Sequence, residues 1–212
     1  MARQRLVLAT AQSSLSGVDP VLDALVAAHG PARLPTPPPA SSRFESLVES
    51  IVYQQLNGVA AATIWGRVRV AAGNEVTPSS LLSAGEIPLR AAGLSGAKTR
   101  SMLDLSDRVA RGEISLGRIG ALDDEAVIAA LIPVWGIGRW TAQMFLMFTL
   151  GRLDVWPTGD YGVRAGLAKA WGLGAHPSEQ EMAEHGEPFV GARSLVAWYC
   201  WRAADSAETG RT

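Results

Sequence analysis

The 212-residue chain has little that holds metals or crosslinks. It contains one cysteine, Cys200, and three histidines, His29, His176 and His185, with no paired spacing. A lone cysteine excludes an internal disulfide, a four-cysteine iron–sulfur cluster and a cysteine zinc site. No uncharged apolar run reaches the roughly 18 residues of a membrane span, so no membrane partner is expected. The opening MARQRLVLATAQ carries an apolar core of about five residues, short of the roughly 7–15 of a secretory signal. The chain therefore reads as cytoplasmic. A basic excess is missing too. Lys and Arg total 19 against 20 Asp and Glu, for a net charge of −1, which argues against a non-specific nucleic-acid coat.

Apolar residues make up 48% of the sequence, enough for one sizeable domain or two small lobes. Four prolines in LPTPPPASS (34–42) mark a stiff connector between a short helix at 19–30 and the main body. Ser42-Arg-Phe-Glu45 has the form of a capping box. Phe44, Leu47, Val48, Ile51 and Val52 follow at helical spacing. That helix runs into YQQLNG, where Asn57-Gly58 signals a turn. Further helices are predicted at 59–73, 77–85, 97–110, 123–134, 139–151, 161–172 and about 188–204. Strand alternation never persists. The expected fold is all-α, in two lobes: 44–151, ending in a helix–hairpin–helix at about 124–151, and 1–43 with 152–212.

The hairpin VWGIGRWTAQM raises a specific question. A tight turn needs at most one glycine with positive φ, yet Gly136 and Gly138 flank Ile137. On one reading this is only a tight connection. On the other, the glycines admit an anion to the start of the following helix, whose first amides lack internal partners and carry partial positive charge. Binding of that kind uses main-chain groups and needs no basic excess. Asp160, just before YGVRAGLAKAWG, reads by position as an N-cap.

The wider segment LIPVWGIGRWTAQMFLMFTLGRLDVWPTGDYGVR resembles the helix–hairpin–helix signature of the HhH-GPD DNA glycosylase superfamily. There, a Gly/Pro loop and an aspartate follow the hairpin. The likeness is nearest to the alkylation-repair type, 3-methyladenine DNA glycosylase II. RFESLVESIVYQQLNGVAAATIW, GLSGAKTRSMLDLS and RSLVAWYCWR resemble family blocks in the same order. The resemblance spans roughly residues 19–204.

It implies a two-lobed base-excision enzyme with its lesion pocket between the lobes and no metal or organic cofactor in catalysis. A monovalent cation at the hairpin carbonyls remains open. Asp160 becomes the catalytic carboxylate. Trp140 stands where relatives that also cut the backbone have a lysine, implying a monofunctional hydrolase without lyase activity. Trp140 and Met144 are the implied base-pocket walls, and an indole face suits a cationic alkylated base. A wedge that fills the gap left by the flipped nucleotide falls on Gln55, with Leu56 and Gln54 as alternatives. Gly136, Ile137, Gly138, Arg139, Thr141 and Lys98, with Arg100, are the candidate phosphate contacts; solvated surface is the competing reading for Lys98 and Arg100. Phe189, Gly191 and Ala192 depart from the family pattern, opening that side of the pocket or marking a shifted loop. The expected partner is damaged double-stranded DNA, bound by a nucleoid-associated monomer. The competing functions are a sibling glycosylase for hypoxanthine, etheno or mismatched bases, and a non-catalytic DNA-damage sensor.

Overall fold

A computed structural model describes residues 2–56 and 58–205, and side chains from Leu6 onward. Asn57, assigned to a turn with Gly58, lies outside the described residues. Regular structure among the described residues is helical throughout: α1 (Ala2–Ser14), α2 (Pro20–His29), α3 (Arg43–Tyr53), α4 (Gly58–Ala71), α5 (Pro78–Ala84), α6 (Glu86–Ala91), α7 (Gly96–Ala110), α8 (Asp124–Leu131), α9 (Arg139–Met144), α10 (Tyr161–Ala170), α11 (Glu179–Gly186) and α12 (Arg193–Asp205). A π-helical stretch, Phe145–Thr149, continues α9.

The helices form two compact units. The central unit is Pro37–Leu150; the terminal unit holds the chain up to Thr36 and from Gly151 onward. Residues 37–43, expected with the terminal lobe, thus go with the central unit. Arg43 gives the reason. Its Nη1 donates to the carbonyls of Leu116 and Gly117 at 3.0 and 2.9 Å, tying the start of α3 to the central chain.

In the central unit the spacing that predicts α3 is its packing face. Leu47, Val48, Ile51 and Val52 are fully buried, with Val68, Leu81, Met102, Leu105, Val127 and Leu131 from the other helices. The helix starts follow side-chain chemistry: Ser95 caps α7 and Asp123 caps α8. The Ser42 capping box does not form. A 3₁₀ turn at Ala40–Ser42 gives Ser42 φ −93° and ψ 0°, and its side chain makes no cap bond.

In the terminal unit α10 packs closely on α12. A Cβ on Gly166 would lie 1.7 Å from the Cys200 carbonyl oxygen, so only glycine permits this approach. Tyr199, fully buried on α12, places its hydroxyl 3.0 Å from Gln12 Oε1 and 2.9 Å from the Gly30 carbonyl.

Three helices are absent from the sequence reading. α1 has no marked apolar stripe, and α6 is six residues long and contains Pro88. α11 carries Glu179, Glu181 and Glu184 in eight residues, and its start is set by a reciprocal capping box of Ser178 and Glu181.

Gly166→Ala should lower the unfolding free energy by about 3 kcal/mol or more, because a methyl group would overlap a main-chain oxygen. Urea denaturation of the full chain checks this; a midpoint equal to that of the wild type would contradict the packing described.

Candidate active site

Asp160 is the N-cap of α10, in extended conformation, and is 7% exposed. Its Oδ1 accepts from the Val163 N–H at 2.8 Å and from Trp201 Nε1 at 3.0 Å. The irregular loop before it is anchored from the start of α12. Ser194 Oγ accepts from the Val155 N–H at 3.0 Å and lies 2.9 Å from the Arg152 carbonyl, to which it donates. Arg193 grips both carboxylate oxygens of Asp154 at 2.7 and 2.8 Å, a bidentate pair that fixes orientation as well as distance. Trp156 Nε1 donates to the Met182 carbonyl, and a Cβ on Gly186 would meet the Trp156 ring at 2.7 Å. Burial pushes the Cys200 thiol well above its usual range, and the neighbouring Asp160 charge adds to that.

Phe189 and Ala192 are buried, and the Gly191 N–H donates to Asp154 Oδ1 at 2.8 Å.

In the central unit the two hairpin glycines have different reasons. Gly136 has φ +78°, and a Cβ there would meet Ser101 Oγ at 2.1 Å. It is required by the protein's own packing. Gly138 has φ −96°, an ordinary value, and a Cβ there would face open space. Nothing internal demands glycine at 138. Ile137 buries its side chain and donates its N–H to the Val134 carbonyl at 3.0 Å, so this amide is already spent.

Other candidate phosphate contacts have internal partners. Thr141 is buried, its Oγ1 accepting from Gln54 Nε2 at 3.1 Å. Arg139 forms a two-pronged ion pair with Glu125. Lys98 Nζ donates to the carbonyls of Val52 and Gln54 at 2.7 and 2.6 Å. Lys98 thus satisfies the C-terminal carbonyls of α3 rather than reaching outward, and desolvation lowers its pKa. Arg100 lies over the Trp135 ring at 4.5 Å, beside a concavity of about 680 Å³ bordering Gly136–Gly138.

The YQQL turn separates its three candidates. Gln54 is tied inward by Thr141. Gln55 is exposed and holds φ +54°, a left-handed conformation uncommon for residues other than glycine. Leu56 is 38% exposed.

Trp140 is 43% exposed and Met144 is 9% exposed. Met144 lines a cavity of about 240 Å³ together with Ser46, Glu49, Ser50, Tyr53, Phe145, Phe148 and Thr149. Trp140 is not among the lining residues. Among the described residues, no group of three or more His, Cys, Asp or Glu side chains is placed to hold a metal ion.

Residues 48–190 match the family of HhH-GPD superfamily base excision DNA repair proteins. The chain belongs to the HhH-GPD superfamily. It is 30% identical over 204 residues to DNA-3-methyladenine glycosylase 1 of Schizosaccharomyces pombe, covering 95% of this chain and 90% of that protein. Two solved structures are similar. One is the DNA-3-methyladenine glycosidase of Bacillus halodurans, with TM-score 0.80, 32% identity and coverage of 93% and 91%. The other is the S. pombe 3-methyladenine DNA glycosylase in complex with abasic DNA, with TM-score 0.82, 30% identity and coverage of 91% and 95%.

Several residues of this HhH-GPD site escaped the sequence reading. Trp201, the donor to Asp160, sits in RSLVAWYCWR, where seven tryptophans across the chain hid its role. Glu49 and Tyr53 were legible in principle. Positions 46, 49, 50 and 53 share one face of α3, opposite the buried stripe.

Two expectations follow for this hairpin and its support. Gly136→Ala should cost more than about 2 kcal/mol, from positive φ and overlap with Ser101, whereas Gly138→Ala, an N-cap change into open space, should cost less than about 1 kcal/mol. Thermal unfolding of the pair checks the difference, and equal losses would refute it. Lys98→Met should destabilise the fold by about 1–3 kcal/mol through lost charge-assisted bonds to the α3 carbonyls; an unchanged denaturation midpoint would show that those bonds contribute nothing.

Proposed function

We propose that this HhH-GPD protein is a monofunctional DNA glycosylase that flips out alkylated bases of the 3-methyladenine and 7-methylguanine type and hydrolyses their glycosidic bonds. The observation that carries the reading is Asp160: a carboxylate at a helix start, with one oxygen fixed by two donors. The names of its similar relatives, and the abasic DNA bound to one of them, support the same reaction class.

Methylation at adenine N3 or guanine N7 makes the base cationic and weakens its bond to C1′. In the reaction a water oxygen bonds to C1′ as the C1′–N bond breaks. The electron pair leaves with the base, which departs neutral, and the water's proton passes to Asp160 or to solvent. Asp160 stabilises the oxocarbenium charge that develops on the sugar and orients the water. Trp140 offers no amine, so no Schiff base forms and the strand is left intact at an abasic site.

The Gly138 main chain receives a DNA phosphate, since the space beside it is open and its N–H has no acceptor among the described residues. Gln55 is the wedge, with Leu56 beside it. Its left-handed backbone holds an exposed side chain forward at a cost in strain, as is common where a residue meets a ligand.

The test is release of free base from duplex DNA carrying a single 7-methylguanine or 3-methyladenine. The bonds from Val163 and Trp201 fall on Oδ1, so Asp160→Asn can keep them while losing the charge. The wild type should release the base, and Asp160→Asn should do so about 10²–10³-fold more slowly with DNA binding retained. Release of only hypoxanthine, etheno or mismatched bases would assign a sibling specificity. Binding without release of any base would make the protein a damage sensor.

A further inference from the structure

The cavity beside Met144 has a polar side that the reading above does not use. Its walls are Tyr53, Met144, Phe145 and Phe148, and its volume of about 240 Å³ lies below the roughly 300–1,000 Å³ of sites for drug-sized ligands. That is a size for one small planar ring system. Besides the hydroxyls of Tyr53 and Thr149, its polar groups are Ser46, Glu49 and Ser50 on α3. Ser46 donates its hydroxyl proton to the Ser42 carbonyl at 3.0 Å, and Ser50 donates to the Leu47 carbonyl at 2.8 Å. A hydroxyl has one proton, so both serines offer only lone pairs to the cavity.

Glu49 offers a negative charge. It is half-buried, and its carboxylate accepts no hydrogen bond from the described residues. The cation that acts on it, Arg69, pairs with Glu45, at 3.6 Å. Burial and the Glu45 charge raise the Glu49 pKa, against a smaller lowering by Arg69. A carboxylate held in an aromatic cavity without a bound donor is destabilised, and a cation that donates to it would relieve that cost.

We infer that Glu49 is a specificity residue, whose carboxylate accepts from the amino group of a positively charged N-alkylated purine seated against Tyr53, Met144 and Phe148. This rests on the glycosylase reading and deepens it. Aromatic faces and the Glu49 carboxylate, beside two serines that offer only lone pairs, favour a cationic ring bearing N–H donors. A neutral ring whose edge carries lone pairs, such as 1,N6-ethenoadenine, would meet the lone pairs of Ser46, Glu49 and Ser50 and be disfavoured.

The test separates charge from shape. Single-turnover release of 7-methylguanine from a duplex is measured for the wild type, Glu49→Gln and Glu49→Asp. Glutamine keeps the shape and loses the charge; aspartate keeps the charge and loses one methylene. We expect Glu49→Gln to be slowed about tenfold, as for loss of a charged hydrogen-bond partner, and Glu49→Asp to retain more activity than Glu49→Gln. Binding to a duplex with an abasic-site analogue, which has no base to contact, verifies folding of each variant. Glutamine matching or exceeding aspartate in folded protein overturns the inference and leaves the glycosylase reading standing. Absence of release by the wild type itself removes both, and is recognised before any variant is compared.

Discussion

A buried carboxylate is costly unless its charge is met by donors, and that requirement organises the terminal unit around Asp160. One oxygen takes both the first-turn amide of α10 and the indole N–H of Trp201. Trp201 must then lie against the start of α10, and Gly162 follows from that: a Cβ there would sit 2.8 Å from the Trp201 ring. One turn on, Gly166 lets the α12 main chain come into contact. The two glycines are therefore consequences of one geometric demand, that α12 approach α10 closely enough for its indole to reach the carboxylate. The loop before Asp160 is held from the same helix, through Arg193 and Ser194. A single helix thus sets both the approach to the carboxylate and its hydrogen bonding.

The central unit handles polar chemistry differently. Its hairpin is rigid because its own groups consume one another: Ile137 bonds back to Val134, Gly136 seats against Ser101, and the Trp135 N–H donates to Asp104 Oδ2 at 2.7 Å. What remains outward is the main chain at Gly138. Lys98 contributes by neutralising the carbonyl end of α3, from which the YQQL turn projects. Gln54 then joins that turn to α9 through Thr141. Two segments distant in sequence, one proposed to enter the duplex and one to hold its backbone, are locked together by a side-chain hydrogen bond.

The helical class and most long helices were legible because their apolar spacing survives in a single sequence; α3 and α7 are the clearest cases. Asp160 as an N-cap was equally legible, since position before a helical pattern is a local signal. What was not legible depends on partners far apart in the chain. Nothing near Lys98 says that its ammonium turns to Val52 and Gln54, and nothing near Thr141 announces Gln54. The Gly136-Ile137-Gly138 pattern suggested one cause for two glycines, whereas one is required by an internal contact and the other is not. The polar face of α3 was visible as a pattern, but the cavity that gives Glu49 a meaning forms only when α3 meets the π-helical segment after α9.

The same pairing explains how a chain of net charge −1 can serve the proposed role. Its arginines are largely answered internally: Arg139 by Glu125, Arg108 by Asp104 and Glu113, Arg111 by Asp107 and Glu113, Arg193 by Asp154. A protein that held DNA mainly by Lys and Arg would release a counterion for each phosphate neutralised and lose affinity steeply with salt. Here the proposed phosphate site is main chain, whose partial charge neutralises little. Non-specific affinity of that origin is weak, so discrimination must come from the base itself. A negative, aromatic cavity gains energy from a cationic ring, and an unmodified neutral base gains much less. Weak attraction to DNA at large and selective attraction to a charged lesion are then two results of one charge arrangement.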